Sequence, residues 1–527
     1  MSRLNFETYK DKVMGCWAGK NIGGTLGAPM EGYRKTYDIN FYTQDLSGDP
    51  PPNDDLDLQL VWLAAVERYG NQVNASILGE YWLSFIIPNW VEYGMGKNNM
   101  RAGLAPPLSG YVDNDYRNSN GCFIRSEIWA CLAPGHPDIA VNYAYEDACV
   151  DHAEEGLYGE LFCAALQSAA FVESDKDKLV DIGLSYIPKD CAVARCVNMA
   201  RNSYKNGVSL KEIRALIHKE APGSFGLQLS DSFTPGKPAS PKIGEITAEP
   251  DMELGIAGYD APENIGFFIA GWYYGKDFGD ALCKAVNFGE DTDCTAATLG
   301  ATMGIIMGAS NLPAKWTAPL GDKISTICID NTSAGIWIPK TVTELTDRVL
   351  RITPLFLGVD LCDLFAEGGY AISTNEGDKL YRSKADDYLS KMNGCWINKD
   401  TSHMYMYSPF VQRFEYPAFE VLVDYMGEPF FETGVPRAFK VTAVTNAHYM
   451  RHQSWTKIKL HVPEGVKVSR GSEVELPLNY NVGSKAEVTF EVTDEAFTGS
   501  ALELMVDVAL LGRHSYGAVK IVLKRKK

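Results

Sequence analysis

The spacing of apolar residues changes along this 527-residue chain, and the change limits the folds that each part can adopt. Up to about residue 355, apolar residues recur at helical spacing between turn signals, for example in residues 58–69, 143–171 and 342–352. Beyond about residue 400, they alternate with polar residues, as in 486–492 and 502–508. This alternation is typical of strands with one buried face.

We therefore predict two domains of different structural class. Residues 1–357 are predicted to form an all-α domain, and residues 405–527 an all-β sandwich. Residues 358–404 are predicted to connect them.

Glycines are frequent in two segments of the predicted helical domain. Gly300, Gly304 and Gly308 recur every four residues on one helix face, where each costs about 1 kcal/mol relative to Ala. Close helix–helix contact is the natural compensation for this cost. The segment 15–31 is also glycine-rich and lacks a nucleotide-binding pattern. It predicts either a tightly packed first helix or a backbone that lies close to a ligand, with Glu31 at its end.

The charge balance excludes several classes of partner. The chain has 49 Lys and Arg against 67 Asp and Glu, a net charge of −18, so its surface repels phosphate backbones and anionic membranes. We therefore expect no nucleic-acid partner and no membrane partner. An anionic small substrate would need a local cation to offset this field.

Cysteine usage and the N-terminal sequence predict a cytoplasmic protein. The twelve cysteines follow no disulfide or zinc spacing, and the N-terminal residues contain no apolar signal segment. The uncharged stretch 294–314 is rich in Gly, Ala, Ser and Thr, so we interpret it as a buried helix rather than a membrane span.

Two clusters of acidic residues lie at predicted helix starts. The first comprises Asn53, Asp54, Asp55 and Asp57. It follows two prolines and has the composition of an N-cap and a first helical turn. Capping and stabilisation of the helix dipole, at about 0.3–1 kcal/mol per charge, explain this cluster without any ligand.

The second cluster contains more acids than capping needs. Glu290, Asp291 and Asp293 lie within four residues. Their mutual repulsion exceeds the benefit from the helix dipole unless a cation binds. Carboxylate oxygens are the ligands that Mg²⁺, Ca²⁺ and Mn²⁺ prefer. Two such clusters on facing helices predict a divalent-metal site, and two well-capped helices are the alternative.

Two further segments could line a pocket or have a structural role. Asn120 and Gly121 form an Asn-Gly pair that favours a turn with positive φ, and Cys122 follows it. His152 is a lone histidine among acidic residues, and such a residue is more often structural than catalytic.

These segments, in this order, resemble the ADP-ribosylglycohydrolase family, the enzymes related to dinitrogenase-reductase-activating glycohydrolase. The family's motifs are G-D-A-L-G-x-P-x-E, T-D-D-T, N-G-x-x-x-R, T-H-x-x-x-x-G and G-G-D-T-D-T. The matching segments are, in turn, 23–31 (GGTLGAPME), 53–56 (NDDL), 120–125 (NGCFIR), 151–156 (DHAEEG) and 289–294 (GEDTDC). The resemblance covers about two-thirds of the chain and leaves out the β-rich tail.

The resemblance implies an all-α fold that holds one or two Mg²⁺ ions, with Mn²⁺ and Ca²⁺ as alternatives. The implied metal ligands are Asn53, Asp54, Asp55, Asp291, Asp293 and Cys294. The predicted substrate-binding residues are Gly27, Asn120, Gly121, Cys122 and His152. We predict that Glu31 or Asp55 is the catalytic carboxylate that orients or deprotonates water.

The chain departs from the family motifs at three positions. Asn53 and Cys294 stand where the family usually has hydroxyl ligands, and Gly24 replaces the aspartate of the first motif. The amide oxygen of Asn53 can bind a hard cation, whereas Cys294 is a poor ligand for Mg²⁺.

Three functions are compatible with this pattern. The first is a divalent-metal-dependent glycohydrolase that cleaves an ADP-ribosyl or related N- or O-glycosidic bond in a small molecule or a modified protein. The second is a glycosidase of the same fold that acts on a non-nucleotide glycan or a small glycoside. In that case the β-rich tail is a carbohydrate-facing module or a surface for oligomerisation. The third is an inactive binding or structural homologue.

Overall fold

The computed structural model shows two compact units. One unit comprises Met1–Lys97 and Asn114–Arg382, and the other comprises Asn98–Asp113 and Ser383–Lys527. The structure describes residues 2–32, 35–221, 226–228, 256–330, 335–382, 408, 410–445, 453–479, 484–512 and 515–526. The predicted bounds at residues 357 and 405 stay predictions. Most of the predicted connecting segment, 383–404, lies outside the described residues.

The first unit is built mainly of α-helices, as the helical spacing of its apolar residues predicts. The α-helices of the described residues are α1 (Phe6–Gly27), α2 (Asp54–Tyr69), α3 (Ala75–Phe85), α4 (Val91–Arg101), α5 (Leu108–Tyr111), α6 (Glu127–Leu132), α7 (Pro137–Ala148), α8 (Glu154–Ala170), α9 (Lys176–Ser185), α10 (Ala192–Lys205), α11 (Leu210–Glu220), α12 (Ala261–Tyr274), α13 (Phe278–Val286), α14 (Thr292–Met307), α15 (Ala314–Thr317) and α16 (Val342–Leu357).

The predicted helical stretch 143–171 forms two helices rather than one. α7 ends at Ala148 and α8 begins at Glu154, which has a φ of +50°. The turn between them carries Asp151, whose Oδ1 accepts a hydrogen bond from Nη2 of the buried Arg125 at 2.6 Å. Apolar spacing alone does not reveal this break. The turn contains a charged residue whose buried partner, Arg125, lies outside the stretch 143–171.

The helices α1 and α14 pack along their glycine faces. A Cβ on Gly19 would lie 2.0 Å from the carbonyl oxygen of Gly300. A Cβ on Gly304 would lie 1.9 Å from the carbonyl oxygen of Gly15. Gly308 instead follows the last residue of α14, with a φ of +76°. The predicted close contact is confirmed for Gly300 and Gly304, and the first glycine-rich segment is a tightly packed helix.

The strands form small sheets in the first unit and two larger sheets in the second. They are β1 (Ser2–Asn5), β2 (Gly226–Gln228), β3 (Ile256–Gly258), β4 (Cys362–Asp363), β5 (Ala371–Thr374), β6 (Val411–Glu415), β7 (Phe419–Asp424), β8 (Phe430–Phe431), β9 (Arg437–Thr445), β10 (Ser454–His461), β11 (Val466–Val468), β12 (Glu473–Leu478), β13 (Lys485–Asp494), β14 (Ala501–Leu510) and β15 (Tyr516–Arg525). In the helical unit, β1, β5 and β4 form one sheet in that order, and β2 pairs with β3.

The second unit contains the predicted β-sandwich. One sheet has the strand order β12-β10-β14-β15-β8 and the other β11-β13-β9-β7-β6. The alternating runs 486–492 and 502–508 lie in β13 and β14, and their buried residues belong to one hydrophobic core. Leu104, Leu108 and Val112 belong to the same core although they precede it by some 300 residues of sequence.

Two further predictions concern a membrane-spanning helix and the cysteines. Within the described part of the chain, no helix combines the length and the apolar character that crossing a bilayer requires. The uncharged stretch 294–314 includes most of α14, whose residues are largely buried. The described cysteines are free and buried, and Cys395 lies outside the described residues.

Candidate functional site

The first acidic cluster lies at the start of α2, where capping orients its side chains. Asn53 has extended backbone dihedrals, and its Oδ1 accepts a hydrogen bond from the backbone N–H of Asp55 at 2.7 Å. The hydroxyl of Tyr93 on α4 donates to Asp54 Oδ2 at 2.9 Å. Asp57 accepts two backbone N–H groups from a neighbouring loop. Asp54 and Asp55 are therefore the acids of this cluster that are available to a ligand.

The second acidic cluster forms the start of α14. Asp291 is the N-cap residue, and Asp293 lies in the first turn. Glu290 has a φ of +68°, and its Oε1 accepts a hydrogen bond from the buried Arg214 at 2.7 Å. Because Glu290 is paired with this guanidinium group, Asp291 and Asp293 are the acids that face the first cluster.

The two clusters converge although 240 residues separate Asn53 from Asp293. Asn53 Nδ2 donates to Asp293 Oδ2 at 3.4 Å, and the thiol of Cys294 donates to Asp55 Oδ1 at 3.3 Å. Potential ligand atoms of Asp55, Asp293 and Cys294 lie within 4.8 Å of one another. The sequence-predicted residues from both helix starts thus share one location.

A second group of potential ligand atoms shares Asp293 with the first. Atoms of Glu31, Asp291 and Asp293 lie within 4.8 Å of one another. Asp291 and Asp293 are buried, whereas Glu31 is exposed. We refer to the carboxylates and the thiol at this location as the acidic centre: Glu31, Asp54, Asp55, Asp291, Asp293 and Cys294.

The acidic centre has polar atoms that its protein neighbours do not satisfy. One oxygen each of Asp55, Asp291 and Asp293 is buried and has no hydrogen-bond partner among the described residues. A buried acceptor that lacks a partner costs free energy. Carboxylate oxygens that converge in this way suit a divalent cation, so the residues present fit a metal ion.

Burial and the crowding of carboxylates raise several pKa values in the acidic centre. Burial, followed by the charge of Asp293, raises the pKa of Asp54 to about 6 and also raises the pKa of Asp291. The charge of Asp293 is the main cause that raises the pKa of Glu31 to about 9. A divalent cation would favour the charged forms and so lower these pKa values.

A buried lysine offsets part of this negative charge. Lys20 on α1 is 1% exposed, and its Nζ lies 3.6 Å from Asp55 Oδ2 and 3.1 Å from Glu127 Oε1. Burial alone would lower the pKa of Lys20, but Glu127 and Asp55 raise it above its usual value. Gln59 donates to the other oxygen of Glu127 at 2.8 Å. The ammonium group of Lys20 thus approaches Oδ2 of Asp55, whereas the thiol of Cys294 donates to Oδ1.

The Asn-Gly pair at residues 120 and 121 touches the acidic centre, although neither residue has the positive φ that the pair favours. Asn120 Nδ2 donates to Asp291 Oδ2 at 2.6 Å, and the backbone N–H of Asn120 donates to the carbonyl of Tyr259 at 2.9 Å. A Cβ on Gly121 would lie 2.0 Å from Glu92 Oε1, so this position requires a small residue. The turn therefore orients Asp291, and a role in substrate binding stays a prediction.

Cys122, His152 and Gly27 make tight contacts with other protein groups. The thiol of Cys122 donates to a backbone carbonyl at 2.7 Å, and His152 Nε2 lies 3.0 Å from Ser119 Oγ. Both side chains are fully buried. A Cβ on Gly27 would lie 2.3 Å from the carbonyl oxygen of Thr292, at the contact between α1 and α14. Their predicted contacts with substrate stay predictions.

Comparison with known proteins decides the family. The family model described as ADP-ribosylglycohydrolase matches residues 5–352, which is more than half of the chain. The chain belongs to the ADP-ribosylglycohydrolase family. A similar solved structure, titled "ADP-ribosylglycohydrolase-related protein complex", is 19% identical, and the match covers 67% of this chain and 100% of that chain with a TM-score of 0.41. No curated protein matches this chain.

Family membership confirms the resemblance that the sequence motifs predicted. The model of the ADP-ribosylglycohydrolase family ends at residue 352, within α16, and the β-sandwich lies beyond it. The predicted fold, a helical domain of this family followed by an all-β sandwich, is therefore confirmed. Membership of the ADP-ribosylglycohydrolase family supports the prediction that the chain is a glycohydrolase.

Two departures from the ADP-ribosylglycohydrolase motifs are sterically linked. A Cβ on Gly24 would lie 2.2 Å from Asn53 Nδ2. An aspartate at position 24 would therefore collide with Asn53 as it is placed here. Glycine at position 24 therefore leaves room for the amide group of Asn53.

Three residues around the acidic centre were missed by sequence analysis: Lys20, Tyr93 and Arg214. Lys20 could have been recognised in the sequence, because it is the one charged residue between Lys12 and Glu31. No sequence pattern marks Tyr93 or Arg214, because their contacts with the acidic clusters depend on the packing of α4 and α11.

Proposed function

We propose that the chain is a divalent-metal-dependent glycohydrolase that cleaves an ADP-ribosyl or related N- or O-glycosidic bond. The observation that carries the proposal is the convergence of two acidic helix starts around buried carboxylate oxygens that lack a partner among the described residues. Membership of the ADP-ribosylglycohydrolase family supports hydrolysis of a glycosidic bond. The acidic centre supports the dependence on a metal ion.

The acidic centre contains the residues that would hold one or two metal ions. The proposed carboxylate ligands are Asp54, Asp55, Asp291 and Asp293, and Mg²⁺ is the ion that the family resemblance implies. When bound, a divalent ion would supply Lewis-acid chemistry and orient sugar hydroxyls. Asn53 could act as a ligand only if its amide turned over, because its Oδ1 caps α2 and its Nδ2 faces Asp293.

The protein groups of the acidic centre suit the chemistry of glycoside cleavage. Breaking a glycosidic bond develops positive charge at the anomeric carbon, and nearby carboxylates stabilise that charge. Glu31 is the exposed carboxyl group of the second ligand group, so we assign it the role of orienting or deprotonating water. Asp55 is buried between Lys20 and Cys294, which favours a role as a ligand over its predicted catalytic role.

Two neighbouring side chains hold these carboxylates in position. Tyr93 donates to Asp54, and Asn120 donates to Asp291. Charge-assisted hydrogen bonds of this kind fix the orientation of a carboxylate that binds a metal. A cytoplasmic location, the absence of nucleic-acid partners and oligomerisation through the β-sandwich remain predictions.

The substitution Asp291→Asn tests the proposed function. Activity is measured on ADP-ribosyl-arginine and on a panel of aryl glycosides, before and after chelation and after return of a divalent ion. We expect chelation to abolish the activity of the wild-type protein, and Asp291→Asn to lower turnover by about 100-fold or more. Asp347→Asn, an exposed acid on α16, is the control and should leave turnover unchanged.

The outcomes of this experiment separate the three functions. Full activity of Asp291→Asn in chelator would refute the metal role. Cleavage of aryl glycosides alone would favour the glycosidase that acts on a small non-nucleotide glycoside. A folded wild-type protein that cleaves no substrate of either class would favour the inactive homologue.

A further inference from the structure

Cys294 differs from other buried cysteines of the helical unit in the group that its sulfur faces. The thiols of Cys122 and Cys196 lie 2.7 and 3.9 Å from backbone carbonyl oxygens. The thiol of Cys294 donates instead to a carboxylate oxygen, Asp55 Oδ1, at 3.3 Å. The thiol proton therefore lies between the sulfur of Cys294 and an oxygen of Asp55, and both of these atoms can bind a metal ion.

Cys294 also belongs to a compact group of ligand atoms. Its Sγ and one carboxylate oxygen each of Asp55 and Asp293 lie within 4.8 Å of one another. The three residues are 7%, 1% and 4% exposed, respectively. Among the described residues, Cys294 is the one cysteine in such a group.

An independent observation points to a ligand at the same place. Asp55 Oδ2 and Asp293 Oδ1 are buried and have no hydrogen-bond partner among the residues that the structure describes. The ammonium group of Lys20 approaches Asp55 Oδ2, but at 3.6 Å it is beyond ordinary hydrogen-bond distance. A cation that bound these oxygens would satisfy Asp293 Oδ1 and would add a second positive charge beside Asp55 Oδ2.

Two neutral side-chain oxygens near Cys294 make hydrogen bonds within the protein. Asn53 Oδ1 accepts the backbone N–H of Asp55 at 2.7 Å. The hydroxyl of Thr295, the residue after Cys294, donates to the carbonyl of Thr292 at 3.1 Å. The ligand atoms that converge on this side of the acidic centre are two carboxylate oxygens and a sulfur.

We propose that Cys294 binds the metal ion directly through its thiolate, so that the acidic centre selects Zn²⁺ or a similar borderline-soft ion over Mg²⁺. This inference rests on the proposed function, because it assumes that the acidic centre holds a divalent ion. Thiolates favour Zn²⁺ and related ions, whereas Mg²⁺ requires oxygen ligands in near-octahedral geometry. On binding, the S–H bond breaks, the proton passes to solvent, and the sulfur donates an electron pair to the ion.

Absorption spectroscopy of the full-length, chelator-treated protein tests this ligand. Cd²⁺ and Co²⁺ replace Zn²⁺ as probes, because bonds from thiolates to these ions produce charge-transfer bands. We expect the bands in the wild-type protein and in Cys283→Ser, a buried cysteine on α13 that serves as control. We expect Cys294→Ser to lose them. By calorimetry, Cys294→Ser should bind Zn²⁺ at least about tenfold more weakly and should not bind Mg²⁺ more weakly.

The results distinguish failure of this inference from failure of the proposed function. Equal bands in Cys294→Ser and the wild-type protein would overturn the inference. Calorimetric binding of Cd²⁺ to the wild-type protein without a charge-transfer band would overturn it as well, and would leave the metal-dependent function intact. A wild-type protein that binds neither Mg²⁺, Zn²⁺ nor Cd²⁺ would overturn both. Thermal melting of each variant verifies that it is folded.

Discussion

Beside the acidic centre, the ammonium group of Lys20 lies between two carboxylates from different elements. Asp55 belongs to the first turn of α2, and Glu127 begins α6. All three side chains are buried, so each charge depends on the others for its solvation. Burial raises the pKa of Asp55 well above its usual value, and the charge of Lys20 offsets part of this rise.

At this scale we predict that Lys20→Met destabilises the protein by about 3–5 kcal/mol, because two carboxylates then stay buried without their cation. The free energy of unfolding is measured by urea denaturation. Lys178→Met is the matched control, since Lys178 pairs with Glu173 at 3.1 Å but is 61% exposed. We expect a much smaller change there. Equal losses in the two variants would show that the Lys20 pairing has no special role.

At the scale of elements, the contact between α1 and α14 places the ends of both helices at the acidic centre. Thr292, the first residue of α14, donates its hydroxyl to the carbonyl of Gly27 at 2.8 Å. The glycine faces allow the two backbones to come close enough for this bond. The contact therefore brings Glu31, just after α1, near Asp291 and Asp293.

We predict that Gly19→Ala destabilises the protein by about 1–3 kcal/mol, despite the higher helix propensity of Ala. The new Cβ would lie 2.0 Å from the carbonyl oxygen of Gly300, so the two helices must move apart. Gly48→Ala is the control, because a Cβ at this position meets no atom within 4 Å. Urea denaturation compares the two. A stable Gly19→Ala variant would mean that the helices can separate without cost.

At the scale of the whole molecule, the acidic centre concentrates negative charge in a chain whose net charge is already −18. The pKa of Asp54 is raised to about 6 by burial and then by the charge of Asp293, and that of Glu31 is raised to about 9 chiefly by the charge of Asp293. The folded state therefore binds these protons more tightly than the unfolded chain does. Their contribution to stability is lost as the pH rises from about 4 to about 9.

We predict that saturating MnCl₂ raises the melting temperature by an amount that increases between pH 6 and pH 8.5. At the higher pH, more carboxylates of the acidic centre are charged, so the ion relieves more repulsion and displaces fewer protons. NaCl at equal ionic strength is the control and should give no such increase. An effect of manganese that stays constant or declines with pH would contradict the pKa values of the acidic centre.

Much of the fold could be predicted from local sequence patterns. Period-two alternation in 486–492 and 502–508 predicted strands, and helical spacing predicted α2 and α16. The break between α7 and α8 was not predictable in this way, because it accompanies the ion pair of Arg125 and Asp151. Likewise, Leu104 in the core of the second unit is separated by several hundred residues from the strands that it packs with.

The amino-acid sequence by itself determined which residues are candidates for the proposed chemistry: acids at helix starts, in segments that match the ADP-ribosylglycohydrolase motifs. Capping and first-turn preferences act within a few residues, so they can be recognised in a linear pattern. Only the tertiary structure decided that Asp55 and Cys294 are hydrogen-bonded, that Lys20 neutralises one side of the acidic centre and that Arg214 engages Glu290. These contacts join distant segments, and electrostatic energies inside a protein depend on distances and burial that no local pattern encodes.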